Sequence, residues 1–387
     1  MQFSCGYQSK SQGVSDLGTL KSQTSLVELI CQHIGKSESN AIPFRQYMEL
    51  CLYAPGGGYY TSTRKKVGKD GDFYTSSAIG GLLGEILASF IVKQMMKSES
   101  ETYEIVEWGG GTGQLALQVL EKLCSDYPDF YQRLHFIEIE QSEYHRKLQK
   151  ERLDKHLDII SFWTPQQWKD RGKRSHTFIF SNELLDAFPV YRVRQKAGQL
   201  YELYVAWDKD SGTFCECDRL CKTEAVIDYL QKEAIHLQDG QTAEINLAAN
   251  EWIKDIVQWL EQGDLITIDY GDVSEEIYAA HRMNGTLLCY KDHKAHDNPY
   301  IYPGEQDITA HINFSACIKA GLDGGIQEWK LQTQREFLVE EGILELLQND
   351  HSRDPFGPTA KRNRAIRQLL VGDQMGELFK VLHQTKN

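Results

Sequence analysis

Short apolar runs alternate with stretches of helical period along most of this chain. Residues 103–106 read as a strand, and Leu115, Leu117, Val119, Leu120 and Leu123 then mark a mostly apolar helix. The pattern repeats. It predicts a second strand over 134–140, a third over 157–162, a fourth over 177–181 and a fifth over 263–271. Residues 285–290 form a further extended run, 329–333 a last strand and 334–347 a helix. Strands that alternate with helices predict an α/β fold around a parallel sheet.

The ends and the middle depart from that rhythm. Residues 1–24 are rich in Ser, Gln and Gly and read as a flexible tail. Residues 25–100 predict a helical extension. It has a helix over 26–34, a second opened by Pro43 with Phe44, Tyr47, Met48 and Leu52 on its apolar face, and a third from about 79 to 96. Before the third comes the polar, glycine-punctuated loop 68–76. It is either a lid over a ligand or a surface turn with Ser76 or Ser77 as helix cap. Residues 101–387 are then the α/β domain, interrupted at about 190–260. That block reads as a β-ribbon over 190–217 and helices over 223–237 and 247–260.

The densest chemistry lies at 104–114, where the first strand enters Glu107-Trp108-Gly109-Gly110-Gly111-Thr112-Gly113 and then a helix. A glycine turn between strand and helix lets a ligand touch backbone. Dinucleotide sites use G-x-G-x-x-G to seat a pyrophosphate. Here the pattern is E-x-G-x-G-x-G, and the acid suits a cationic ligand such as S-adenosylmethionine. The second strand ends in Glu138 and Glu140, which alternate onto one face. A carboxylate there can accept both ribose hydroxyls, and Glu138 is taken for that role, with Glu140 starting the next helix. The fourth strand runs into Asn182-Glu183-Leu184-Leu185-Asp186-Ala187-Phe188-Pro189. Ligands of open α/β sheets bind at such carboxyl ends. If this segment is helical, Glu183 and Asp186 share a face and could orient an amine or guanidine acceptor. They could equally complement a helix dipole. Asp269 and Tyr270 fall at another carboxyl end, and His311 either contacts substrate or packs a helix.

Charge and cysteine usage narrow the setting. A net charge of −13 argues against a general nucleic-acid surface. No apolar run approaches the roughly 18 residues of a spanning helix. The tail lacks both an apolar signal core and arginine, against a secretory signal or a mitochondrial transit peptide. The nine cysteines are scattered, as in a reducing compartment, and Cys215, Cys217 and Cys221 lack zinc-site spacing. The cytoplasm is the expected location, with the mitochondrial matrix as the alternative.

Taken in order, these motifs resemble the MidA family of methyltransferases. The matching residues are Gly71-Asp72-Phe73, Glu107-x-Gly109-x-Gly111-x-Gly113, Asn182-Glu183-x-x-Asp186-Ala187-x-Pro189 and Ile268-Asp269-Tyr270-Gly271. Gly285-Thr286-Leu287, Pro303-Gly304-Glu305-x-Asp307-Ile308-Thr309-Ala310-His311 and Met375-Gly376-x-x-Phe379-Lys380-Val381-Leu382 continue the match. The resemblance implies a seven-stranded class I, Rossmann-like fold with S-adenosylmethionine as donor, held by Gly109, Gly111, Gly113 and Glu138. It also implies that Asp72 and Phe73 lie close to the cofactor, Asn182 is taken both as a cofactor contact and as a catalytic residue, and arginine methylation in the family fits the acceptor chemistry read for Glu183 and Asp186. Because the family includes a mitochondrial protein arginine methyltransferase, it implies a protein arginine acceptor. The chain departs from many relatives at Gly110, at Thr112 and at Leu184-Leu185, and 190–260 matches only loosely. Two alternatives stay open: a non-catalytic assembly factor on the same fold, and a nicotinamide-dependent oxidoreductase, which the missing G-x-G-x-x-G disfavours.

Overall fold

The computed structural model describes residues 25–62, 81–98, 100–349, 354, 356–371 and 375–387. Its centre is a sheet of β1 (Tyr103–Trp108), β2 (Leu134–Ile139), β3 (Ile160–Trp163), β4 (Thr177–Asn182), β5 (Gly263–Asp272), β6 (Glu328–Thr333) and β7 (Phe379–Lys386). The order is β3-β2-β1-β4-β5-β7-β6. β3, β2, β1, β4 and β5 are mutually parallel, whereas β7 runs antiparallel to both its neighbours. The parallel strands carry apolar residues on both faces because both are covered. This is the α/β arrangement around a parallel sheet that the alternation predicts, and the class I methyltransferase fold that the resemblance implies.

The extended run 285–290 contributes Leu288–Lys291, which lies outside this sheet and pairs with Lys294–His296 and Asp307–Thr309 in a separate small sheet. One strand expectation is corrected: 329–333 is not the last strand. Phe379–Lys386 follows it and inserts between β5 and β6, which the eight residues do not announce because five of them are polar.

The helical extension is built into the rest of the chain. Ser25 and Glu28 form a capping box that starts α1 (Leu26–Lys36). Pro43 then precedes α2 (Phe44–Tyr53), and Ile42 pairs with Val205. That pair joins the extension to an antiparallel sheet of Tyr191–Lys196, Gln199–Asp208, Thr213–Leu220 and Thr242–Ile245. One core, with Ile30, Tyr47, Leu52, Val205 and Phe214, fills the space between them.

Helices cover both faces of the central sheet. α3 (Leu82–Met95) and α4 (Gln114–Asp126) pack on the face that presents Ile105, Phe136 and Phe180. α5 (Glu143–Arg152) follows β2. α6 (Leu247–Trp259) and α7 (Phe314–Asp323) pack on the face that presents Val106, Ile137 and Ile179. Helix 247–260, expected in the insertion, is therefore the crossover between β4 and β5. Among the described residues no helix is long and apolar enough to cross a membrane.

Candidate active site

The carboxyl ends of β1, β2 and β4 open into a cavity of about 1550 Å³. β1 delivers the chain into the glycine turn. Gly109, Gly111 and Gly113 have φ of +74°, +52° and +73°, the left-handed region that side chains disfavour. At Gly109 the need is double, since a Cβ there would also lie 2.7 Å from Leu184 Cδ1. Gly109, Gly110 and Gly111 line the cavity, and Gly113 lies beside it as the N-cap of α4.

Three acids surround this turn, and they are not equivalent. Glu107 is 3% exposed and lines the cavity. Glu138 is 0% exposed, sits opposite Glu107 in the paired strands and does not reach the wall. Glu140, one residue beyond the end of β2, does line it. Its Oε1 accepts the Ser142 N–H at 2.7 Å, and Arg146 bonds the Glu140 carbonyl at 2.6 Å. Burial raises the pKa of all three from the ordinary carboxylate value.

The fourth strand ends in a built loop rather than a helix, so the shared helical face expected for Glu183 and Asp186 does not form. Glu183 takes φ +51° and its N–H bonds the Ile268 carbonyl at 2.9 Å. Its Oε1 accepts from Asn182 Nδ2 at 3.0 Å, and both residues line the cavity. Behind them the segment is pinned from several elements. Asp269 Oδ2 accepts the N–H groups of Leu185 at 2.9 Å and Asp186 at 3.3 Å. Asn246 donates to the Leu185 carbonyl at 2.9 Å, Ala310 N–H to the Asp186 carbonyl at 3.0 Å and Tyr53 OH to the Ala187 carbonyl at 2.9 Å. Asp186 is 4% exposed, stands off the wall and accepts the Tyr270 hydroxyl. Burial lifts its pKa to about 6 and raises that of Asp269 well above the usual carboxylate value.

The remaining expectations divide. His311 is not on the cavity wall; its ring packs on Tyr270 with centroids 5.5 Å apart, and burial lowers its pKa to about 4, so the ring is neutral. Asp72 and Phe73 lie outside the described residues. The sequence reading missed Tyr53 and Tyr60, which stack at 5.5 Å on the wall, with Tyr60 OH bonded to Asp307 at 2.8 and 2.9 Å. Tyr53 ends α2 and Tyr60 lies just past the proline-glycine break at 55–58, and that pairing of tyrosines across the break was the available signal.

Residues 86–329 match the model of a family described as S-adenosyl-L-methionine-dependent methyltransferases. A crystal structure of a COG1565 superfamily member from Burkholderia thailandensis, bound to S-adenosyl-homocysteine, superposes with a TM-score of 0.82. It is 31% identical, over 93% of this chain and 91% of that one. The chain belongs to the MidA family of S-adenosylmethionine-dependent methyltransferases. Two named relatives are more distant. A mitochondrial protein arginine methyltransferase NDUFAF7 homolog of Drosophila melanogaster is 26% identical over 70% of this chain and 65% of that protein, just under two thirds of its length. The human mitochondrial protein arginine methyltransferase NDUFAF7 is 26% identical over 78% of this chain and 70% of that protein.

S-adenosylmethionine is the cofactor of this MidA-family chain, and the residues present fit it. The glycine turn exposes backbone to the cavity, Glu140 offers a carboxylate on the wall, and Glu107 Oε2 and Asn182 Oδ1 are buried acceptors with no conventional donor among the described residues. A cationic ligand with hydroxyls and an ammonium group matches such acceptors.

Proposed function

We propose that this protein methylates the guanidinium nitrogen of arginine in a protein substrate. The observation that carries the reading is Glu183. It is held in left-handed backbone at the end of β4, bonded by Asn182, on the wall of the cavity that passes the glycine turn. Backbone in that region costs of order 1–3 kcal/mol in a residue other than glycine, and such strain gathers at active sites. Asp186 and Asp269 stand behind it, and neither forms an ion pair with lysine or arginine among the described residues. An acceptor that brings its own positive charge suits that acidic end. The names of the relatives point the same way.

In this reading Gly109, Gly111 and Gly113 shape the cofactor site and Glu107 faces its cationic end. Glu140, rather than Glu138, receives the ribose, because only Glu140 has reached the cavity wall. When bound, S-adenosylmethionine supplies an electrophilic methyl on a cationic sulfur. Asn182 orients the Glu183 carboxylate, which accepts an N–H of the guanidinium and turns a nitrogen lone pair toward the methyl. The nitrogen–carbon bond forms as the sulfur–carbon bond breaks, and the nitrogen releases one proton. Asp269 and Asp186 act through the loop they hold, as positioning residues. His311 is placed to pack Tyr270 rather than to touch substrate. The reading places Asp72 and Phe73 at the cofactor on the family resemblance alone. The free cysteines among the described residues support a cytoplasmic setting.

The test is transfer from methyl-labelled S-adenosylmethionine into lysate proteins, followed by hydrolysis and amino-acid analysis. Label in methylarginine is expected, lost in Glu183→Gln while cofactor affinity stays within about twofold. Label in another residue would remove the arginine assignment. Cofactor binding without any transfer would favour the assembly-factor alternative.

A further inference from the structure

Glu107 and Glu138 face each other across paired strands at the same level of the sheet. Their lateral neighbours are Phe180 on β4 and Phe162 on β3, so two acids occupy the middle of an aromatic row. The glycine turn closes over them. A Cβ on Gly110 would collide with Glu138 Oε2 and lie 3.0 Å from Glu107 Oε2. Both carboxyls therefore lie beneath the turn, Glu107 at the cavity wall and Glu138 behind it, and among the described residues no cation lies against either. Among the described residues neither oxygen of Glu138 has a conventional donor, and Glu107 Oε2 has none.

Two carboxylates only accept hydrogen bonds, so two ionised groups here would repel and leave buried oxygens unsatisfied. One shared proton removes both penalties. The two sites also differ in which group should hold it. Glu107 lines the cavity and receives the Ala116 N–H of α4, which favours charge, whereas Glu138 has no donor and no opening. We propose that Glu138 is a protonated positioning residue that donates to the Glu107 carboxylate and fixes that single negative charge at the turn where the cationic cofactor binds. Burial and mutual repulsion raise Glu138 well above the usual range, whereas its hydrogen bond draws Glu107 down from where burial alone would put it. The other charged groups facing the pair are few. Glu140 comes from the end of β2, with Arg146 and His145 of α5 held against it, and α4 contributes a backbone N–H. Asp- and Glu-rich sites commonly place a cation between paired acids; this one has a proton in that position.

Calorimetric titration of S-adenosylmethionine and S-adenosyl-homocysteine from about pH 5.5 to about pH 9 tests this. Wild-type affinity should fall on acidification as the pair takes up its second proton. Glu138→Leu removes the donor, so Glu107 holds its own proton more tightly. Its midpoint should move up by about one unit or more, with affinity at neutral pH about tenfold weaker and restored at high pH. Glu138→Gln keeps an N–H donor and should leave the midpoint within about half a unit of wild type. A common midpoint in all three would overturn the proposal, since a packing role would change affinity without moving it. A second measurement covers a failure of the leucine variant to fold. Infrared spectra of wild type at neutral pH should show a protonated carboxylic acid band that Glu138→Gln lacks. Its absence from wild type would also overturn the proposal.

Discussion

Glu183 concentrates the tension between stability and chemistry in one residue. Its backbone lies where glycine is favoured, and its side chain is the one the proposed reaction needs. Glu183→Gly should therefore raise the unfolding free energy by about 1 kcal/mol in urea while abolishing methyl transfer. An unchanged or lower stability would show that the Asn182 bond outweighs the strain. Gly109→Ala should act in the opposite sense, because its Cβ meets Leu184 and its φ is left-handed. It should cost about 1–3 kcal/mol and weaken S-adenosylmethionine binding, as calorimetry would report. At this scale the turn, Glu107 and the Asn182-Glu183 pair were legible, since residue type and spacing carry them. The choice between Glu138 and Glu140 was not. Alternation puts both on one face, and only the height at which the turn crosses the strands decides which reaches the cavity.

At the scale of elements, the loop 182–189 is held by groups from β5, α2 and the segments around Asn246 and Ala310. A hydrogen bond of this kind contributes about 1 kcal/mol net, so the loop depends on several of them together. Tyr53→Phe removes one and should cost about 1 kcal/mol, with cofactor affinity retained and acceptor turnover reduced. Reduced cofactor affinity instead would mean that α2 serves the cofactor rather than the acceptor. β7 is the element that the chain disguises most. Leu382 is fully buried between β5 and β6, opposite Thr267 and Leu331. Leu382→Ala should destabilise the protein by about 2–5 kcal/mol in urea unfolding, as for a core leucine rather than a frayed end. Helical and parallel-strand segments were legible from period and apolar runs. β7 was not, because Lys380, His383 and Gln384 break the pattern, and Gln384 is buried only by its neighbours.

For the molecule as a whole, pH reports on what folding has enclosed. His311 falls from its usual 6.5 to about 4 because burial disfavours its charged form. The unfolded chain then binds the proton first as pH drops. The stabilisation from neutral His311 is full above about pH 6.5 and is lost as pH falls toward about 4, a contribution of order 3 kcal/mol. Urea unfolding of wild type and His311→Asn should therefore converge on acidification through that window. Parallel curves would mean that the ring protonates in place. Taken alone, the sequence determined the alternating strands and helices, the glycine turn and the acidic end of β4. These follow from local periodicity, glycine spacing and residue chemistry. Only the tertiary structure decided that the helical extension shares a core with the insertion, that β7 enters the middle of the sheet and that Glu138 faces Glu107 rather than the cavity. Those outcomes depend on contacts between residues far apart in the chain, where burial and pairing override local pattern.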